Sequence, residues 1–208
     1  MAIRVDETPH QLTVLLFIRH AWVIAADVDV PRLDPLPEVG LSRIPETAAP
    51  AGWDARWRRA WKRAWDWYSV EEPDPTIHPT PEYIRAASQP GHALDPLIPP
   101  FWQADHGWEG IDVHAYNAWE MASSPRAYSR PRRNAAASPE PQSLAALIAA
   151  WESGLDTVVV LPYEGYFARR LTVRHLAVSA ATRNEPVAYS RALRAAAGTT
   201  PPQATGES

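Results

Sequence analysis

The chain has no cysteine, one lysine and only nine glycines in 208 residues. Without cysteine there are no disulfides and no thiolate metal sites, which fits a reducing compartment. The single Lys62 stands against 19 arginines, a bias that together with abundant alanine points to a GC-rich bacterial or phage genome. Nine glycines against 22 prolines predict stiff connections rather than flexible linkers. No apolar run is long enough to span a bilayer: Leu12 to Ala26 is interrupted by Arg19-His20. Asp6, Glu7 and His10 precede that run, unlike the order of a signal peptide, so the expectation is a soluble cytoplasmic protein. A net charge of −4 gives no overall attraction to nucleic acid or to an anionic membrane. No internal repeat is present, and the length suits one domain over residues 1–198 with a disordered tail at 199–208.

What the chain has in excess is tryptophan, ten in all. Trp53, Trp57, Trp61 and Trp65 fall four residues apart between Gly52 and Tyr68. At about 100° per residue the indoles drift by only ~40° per step, so they form one stripe on a helix. That helix is expected at about 53–69, with Ala60, Ala64, Trp67 and Tyr68 on the same arc. Arg56, Arg58, Arg59, Lys62, Arg63 and Asp66 take the opposite side, and residues 71–112 carry eight acidic side chains against the single Arg85. The basic side therefore has an acidic counterpart in the chain's own following segment. A buried aromatic removes about 150–250 Å² from water, so the stripe can build a core, dock a partner or lie in a membrane interface. A nucleic-acid platform would need the aromatic and basic groups on one face, and here they are on two.

The remaining elements follow from local signals. Residues 12–24 are apolar on every face; the β-branched Val14, Ile18, Val23 and Ile24 favour a strand over 13–19, while Thr8-Pro9 would suit a helix start. Proline-rich connections are expected at 31–50, 73–81 and 90–100, with a short helix opening at Thr80-Pro81-Glu82. Residues 92–110 read as irregular, Asp112 as the cap of a helix over about 112–123, and 124–137 as an exposed loop. Ser138-Pro139-Glu140 starts a helix with Leu144, Leu147, Ile148 and Trp151 on its core face and Gly154 as its left-handed terminator. Thr157–Leu161 is a strand, Tyr163-Glu164-Gly165 a turn, and the alternation from Arg169 to His175 a strand with one wet face. Pro186 opens a last helix that Gly198 closes.

Val14-Leu-Leu-Phe-Ile-Arg19-His20-Ala21 resembles the strand-end signature of the histidine phosphatase family. The resemblance implies His20 as a phosphoryl-accepting nucleophile with Arg19 on the phosphate oxygens. Ser123-Ser124-Pro125-Arg126-Ala127 is faintly similar to the family's second arginine motif, which implies Arg126 as a further phosphate ligand. The family's later Ser-His-Gly would fall on Pro162-Tyr163-Glu164-Gly165, which holds no histidine.

Asp105, His106, Glu109, Asp112 and His114 gather imidazoles and carboxylates within ten residues, and His106, Glu109 and His114 are the ligands a Zn²⁺ or Mn²⁺ ion would take. Their spacing matches no known metal motif, and no metal or cofactor is expected. Tyr163, Glu164, Tyr166, Arg169 and Arg170 follow the best strand, where sites collect in mixed sheets. The chain is thus expected to be α+β, mostly helical with a small mixed sheet, organised around the tryptophan helix. The expected function is a non-enzymatic protein-binding or assembly component. Its binding residues are Trp57, Trp61, Trp65 and Trp67 with Tyr163, Tyr166, Arg169 and Arg170, and its partner is another protein or a second copy. The alternatives are a phosphoryl-transfer hydrolase at Arg19-His20 and peripheral membrane binding through the helix.

Overall fold

The computed structural model describes residues 2–70, 80–82, 98–124 and 139–198. The fold is α+β, mostly helical with a small mixed sheet, and its tryptophan-rich helix forms as expected. Contacts divide the chain into two compact units, residues 9–123 and residues 1–8 with 124–208. The helix after Thr80, Arg126 and most of its loop, the 73–79 crossing and the tail at 199–208 lie outside the described residues; Pro81 and Glu82 are helical.

In the first unit, α1 (His10–Trp22) overturns the strand expected for 13–19. A uniform apolar run has no period to read, which left only β-propensity, a scale spanning about 1 kcal/mol. Burial outweighs it: Leu12 and Val14 through Ile18 are all in the core. The carbonyl of Pro9 accepts the amides of Leu12 and Thr13 at 2.8 and 3.0 Å, starting the helix one residue later than a Thr8 cap would. Beyond its end Val23 and Ala25 both sit at φ +52°, a region that costs an L-residue about 1–2 kcal/mol. Arg19 holds this turn by donating to the carbonyls of Ala25 and Val28 at 3.2 Å each. Asp54 adds to it by accepting the Ala25 amide at 2.7 Å.

The tryptophan helix, α2 (Pro50–Asp66), has proline in its first turn and runs into a 3₁₀ turn, Trp67–Ser69. A short helix, α3 (Trp102–His106), occupies part of the stretch expected to be irregular. Asp112 caps α4 (Val113–Ser123) as its sequence position suggests, its Oδ1 accepting the amides of His114 and Ala115 at 3.1 Å each. Four indoles tie this unit together through backbone carbonyls: Trp22 to Gly110 at 3.0 Å, Trp53 to Pro45 at 3.0 Å, Trp57 to Leu15 at 2.7 Å and Trp119 to Pro35 at 2.7 Å. Each ring buries its surface while its N–H meets a carbonyl of another segment, so packing and polar satisfaction come from one side chain.

The second unit holds β1 (Arg4–Asp6), β2 (Thr157–Leu161), β3 (Ala168–Arg170) and β4 (His175–Ser179) in the order β1-β2-β4-β3. β2 pairs in parallel with β1 and with β4, while β3 runs antiparallel along the β4 edge. β2 and β4 are buried at every position, as parallel central strands are. The strand expected from 169 to 175 is broken at 171–174. There the Thr172 hydroxyl accepts the amides of Arg174 and His175 at 3.1 Å each, and this local turn competes with the ladder.

Helix α5 (Leu144–Glu152) also corrects the sequence reading, because it buries Ala146, Leu147 and Ala150. Leu144, Ile148 and Trp151 are 50%, 40% and 42% exposed. The alanines face Ala192, Leu193 and Ala196 of α7 (Pro186–Gly198) in one core cluster with Val158, Val160, Leu176 and Val178. Small side chains let two helices approach closely, so the narrow alanine face wins over the bulkier stripe. Gly154 ends α5 at φ +97°, and a Cβ there would stand 2.8 Å from Val173 Cγ1. Ser179 caps the short α6 (Ala180–Asn184) by accepting the Thr182 amide at 3.0 Å.

Candidate binding surface

The tryptophan stripe divides along its length. Trp53 and Trp57 are 2% and 0% exposed, whereas Trp61, Trp65 and Trp67 are only partly covered. Trp22, Trp53 and Trp102 meet with ring centroids 5.3–6.0 Å apart, closing the buried end. Trp61 lies flat on Trp57, with centroids 5.2 Å apart and planes 15° from parallel. Trp65 meets Trp61 edge-on at 5.4 Å, and Trp67 meets Tyr68 edge-on at 5.2 Å. A ladder of rings therefore runs from the core to the surface, its outer members held by the inner ones.

The basic side is largely matched within the unit. Arg58 reaches Asp27 at 2.5 Å and Asp54 at 2.5 Å, Lys62 reaches Asp66 at 2.6 Å, and Arg63 reaches Asp105 at 3.6 Å. Arg58 holds the carboxyls of Asp27 and Asp54 below the usual carboxylate range through hydrogen bonds. Arg56 stacks over the Trp53 ring at 4.4 Å, a cation–π contact. Arg59 is exposed.

The other expected site residues separate. Arg19 is spent on the turn after α1, and His20 is exposed in that helix's last turn rather than at a strand end. Arg126 lies outside the described residues. His106 lies tilted against Trp102, with centroids 4.4 Å apart, and meets Trp53 edge-on at 6.0 Å. Glu109 is exposed and accepts a 3.4 Å bond from the Thr47 hydroxyl, and His114 is exposed in the first turn of α4. Among the described residues no group of three or more His, Asp or Glu side chains converges to hold a metal. Tyr163 is buried edge-on against Phe167 at 4.9 Å. Arg170 donates to the carbonyls of Thr172 and Ala196, each at 2.7 Å, and to that of Val173, tying the end of α7 to the turn after β3. Of that cluster Glu164, Arg169 and Tyr166, the last under the Arg191 guanidinium at 3.8 Å, are exposed.

A polar cluster that the sequence did not announce surrounds Glu120, which is buried. Its Oε1 meets His10 Nδ1 at 2.7 Å and accepts the hydroxyls of Tyr116 at 2.5 Å and Thr13 at 3.1 Å. The carboxylate thus lies against the first turn of α1, where a helix dipole favours negative charge. Nothing in the local sequence around His10 or Glu120 signals a pairing across 110 positions.

Burial between Trp102 and Trp53 holds the His106 imidazole below its ordinary value of 6.5, with Asp105 opposing and Arg56 and Arg59 adding to the effect. The unfolded chain therefore binds more protons near that pH than the folded one. The His106 contribution is complete above pH 6.5 and is lost as the pH falls through the folded value. Urea midpoints from pH 7.5 down to 5 are expected to fall less steeply in His106→Gln than in the wild type.

Comparison of the chain with protein-family models, with curated proteins and with solved structures gives no match.

Proposed function

We propose that this chain is a protein-binding or assembly component that presents the outer half of its tryptophan helix to another protein or to a second copy. One observation carries the reading: Trp61 is partly exposed while lying flat on the fully buried Trp57. A rigid aromatic held at the surface by a buried one loses little freedom on docking, and tryptophan is among the residues most enriched in interface hot spots. The site has no reaction to perform in this reading. We assign it to the cytoplasm on its cysteine-free composition.

The test is light scattering joined to denaturant titration. Wild-type protein is expected to associate with itself or with a copurifying protein. Trp61→Ala is expected to yield a folded, smaller species whose unfolding free energy falls by less than about 2 kcal/mol, because its ring is only partly buried. A monomeric, partner-free wild type would remove the proposal, as would a Trp61→Ala protein that is unfolded.

A further inference from the structure

A second feature of the helical unit is a cleft of about 660 Å³ between residues 41–46 and residues 109–112. That volume lies within the range of small-ligand sites. Its walls are fixed before any ligand arrives. The Arg43 amide donates to the Gly110 carbonyl at 2.9 Å, and the Asp112 amide to the Ser42 hydroxyl at 2.9 Å. Trp22 and Trp53 hold the two walls from the protein side through the Gly110 and Pro45 carbonyls, at 3.0 Å each. Gly110 stands at φ +73°, and a Cβ there would lie 2.4 Å from the Arg43 carbonyl oxygen, so the walls meet as closely as backbone allows.

The lining has two chemistries. Ile44, Pro45 and Ile111 give an apolar wall, and Glu46, Glu109 and Asp112 set three carboxylates against the one guanidinium of Arg43. Asp112 is committed to backbone amides, those of Leu41, Ala115 and His114, which hold its carboxyl below the usual range. Glu46 and Glu109 are exposed. An anion entering here would meet like charge. A purely apolar ligand would strip water from carboxylates without replacing it. A cation on an aliphatic stem satisfies both parts of the lining.

We propose that this cleft binds the end of an alkyl chain bearing a guanidinium or ammonium group. The stem lies on Ile44, Pro45 and Ile111, and the charged head meets Glu46 and Glu109. The same chemistry arrives either on a free alkylamine or on an arginine or lysine side chain of a peptide. The site is separate from the Trp61 surface, and its ligand is recognised by charge where that surface offers rings.

Isothermal titration calorimetry at low ionic strength tests this with agmatine, with the peptide Gly-Gly-Arg-Gly-Gly, and with glutarate as an anion of similar length. Saturable 1:1 binding is expected for at least one of the two cations and none for glutarate. The double variant Glu46→Gln/Glu109→Gln, both positions being exposed, is expected to keep the wild-type circular dichroism spectrum and melting midpoint and to bind at least tenfold more weakly. Tighter agmatine binding identifies a free amine as the source, and tighter peptide binding a protein side chain. Absence of saturable binding by either cation, unchanged affinity in the folded double variant, or equal binding of glutarate overturns the proposal.

Discussion

Trp57→Ala is expected to lower the unfolding free energy by about 3–5 kcal/mol, the cost of deleting a large buried aromatic and leaving a cavity. Trp57 has no exposed surface, stacks on Trp61 and donates its indole N–H to the Leu15 carbonyl in the middle of α1. Removing it empties the contact between α1 and α2 and unseats Trp61. Typical domains are stable by only about 5–15 kcal/mol, so the variant stands near the edge of folding. Trp57→Phe keeps most of the ring area but loses the donor, and is expected to fall between wild type and alanine. The measurement is urea unfolding followed by far-ultraviolet circular dichroism. A Trp57→Ala midpoint no lower than that of Trp61→Ala would contradict the division of the stripe into a core half and a surface half.

Arg183→Met is expected to be the second severe substitution, at about 2–4 kcal/mol, because it removes a buried guanidinium and leaves two partly buried carboxylates without it. The Arg183 side chain is almost wholly buried; it donates to Glu7 at 2.7 Å and to Glu140 at 2.5 Å. Burial works against its charge, but Glu140 and Glu7 more than offset that and hold the guanidinium above its ordinary value. The three residues join the end of β1, the approach to α5 and the helix α6, segments far apart in the sequence. Replacing all three, as Arg183→Met/Glu7→Gln/Glu140→Gln, leaves no stranded charge and is expected to recover most of the loss. Equal instability of the single and triple variants in thermal melts would show that packing of the Arg183 stem, rather than charge, is what matters.

Where a signal was local, the sequence disclosed it. The four-residue tryptophan spacing, the Asp112 cap, the strand at 157–161 and the Gly154 terminator each depend on residues within a few positions of one another. The misreadings have a common cause in competition from distant or small groups. The run at 13–19 carries no period, so its helical state is decided by what surrounds it. The face of α5 is chosen by Ala146 and Ala150, whose weight in a hydrophobicity pattern is slight but whose fit against Ala192 and Ala196 is close. The alternation at 169–175 is interrupted by a hydroxyl that hydrogen-bonds its own turn. The candidate surface was half legible. The four-residue spacing disclosed the helix and its stripe, but which indoles are covered depends on Trp22 and Trp102, which belong to other segments. The cleft was not legible, because its walls are more than sixty positions apart in the chain.

The position of β1 bears on how the chain is made. Arg4 pairs with Thr157, so the first strand leaves the ribosome long before the strand it must join. Residues 9–123, by contrast, form a compact unit of consecutive sequence that is complete when its own last helix emerges. Domains acquire structure in order of synthesis, and distant strand pairing is slow because a long loop must close first. The helical unit is therefore free to fold while β1 waits unpaired. When β2 is finally synthesised, much of the intervening chain has already made its own contacts, so the loop to be closed is no longer a free coil. On this account the middle of the chain shortens the search for its own beginning.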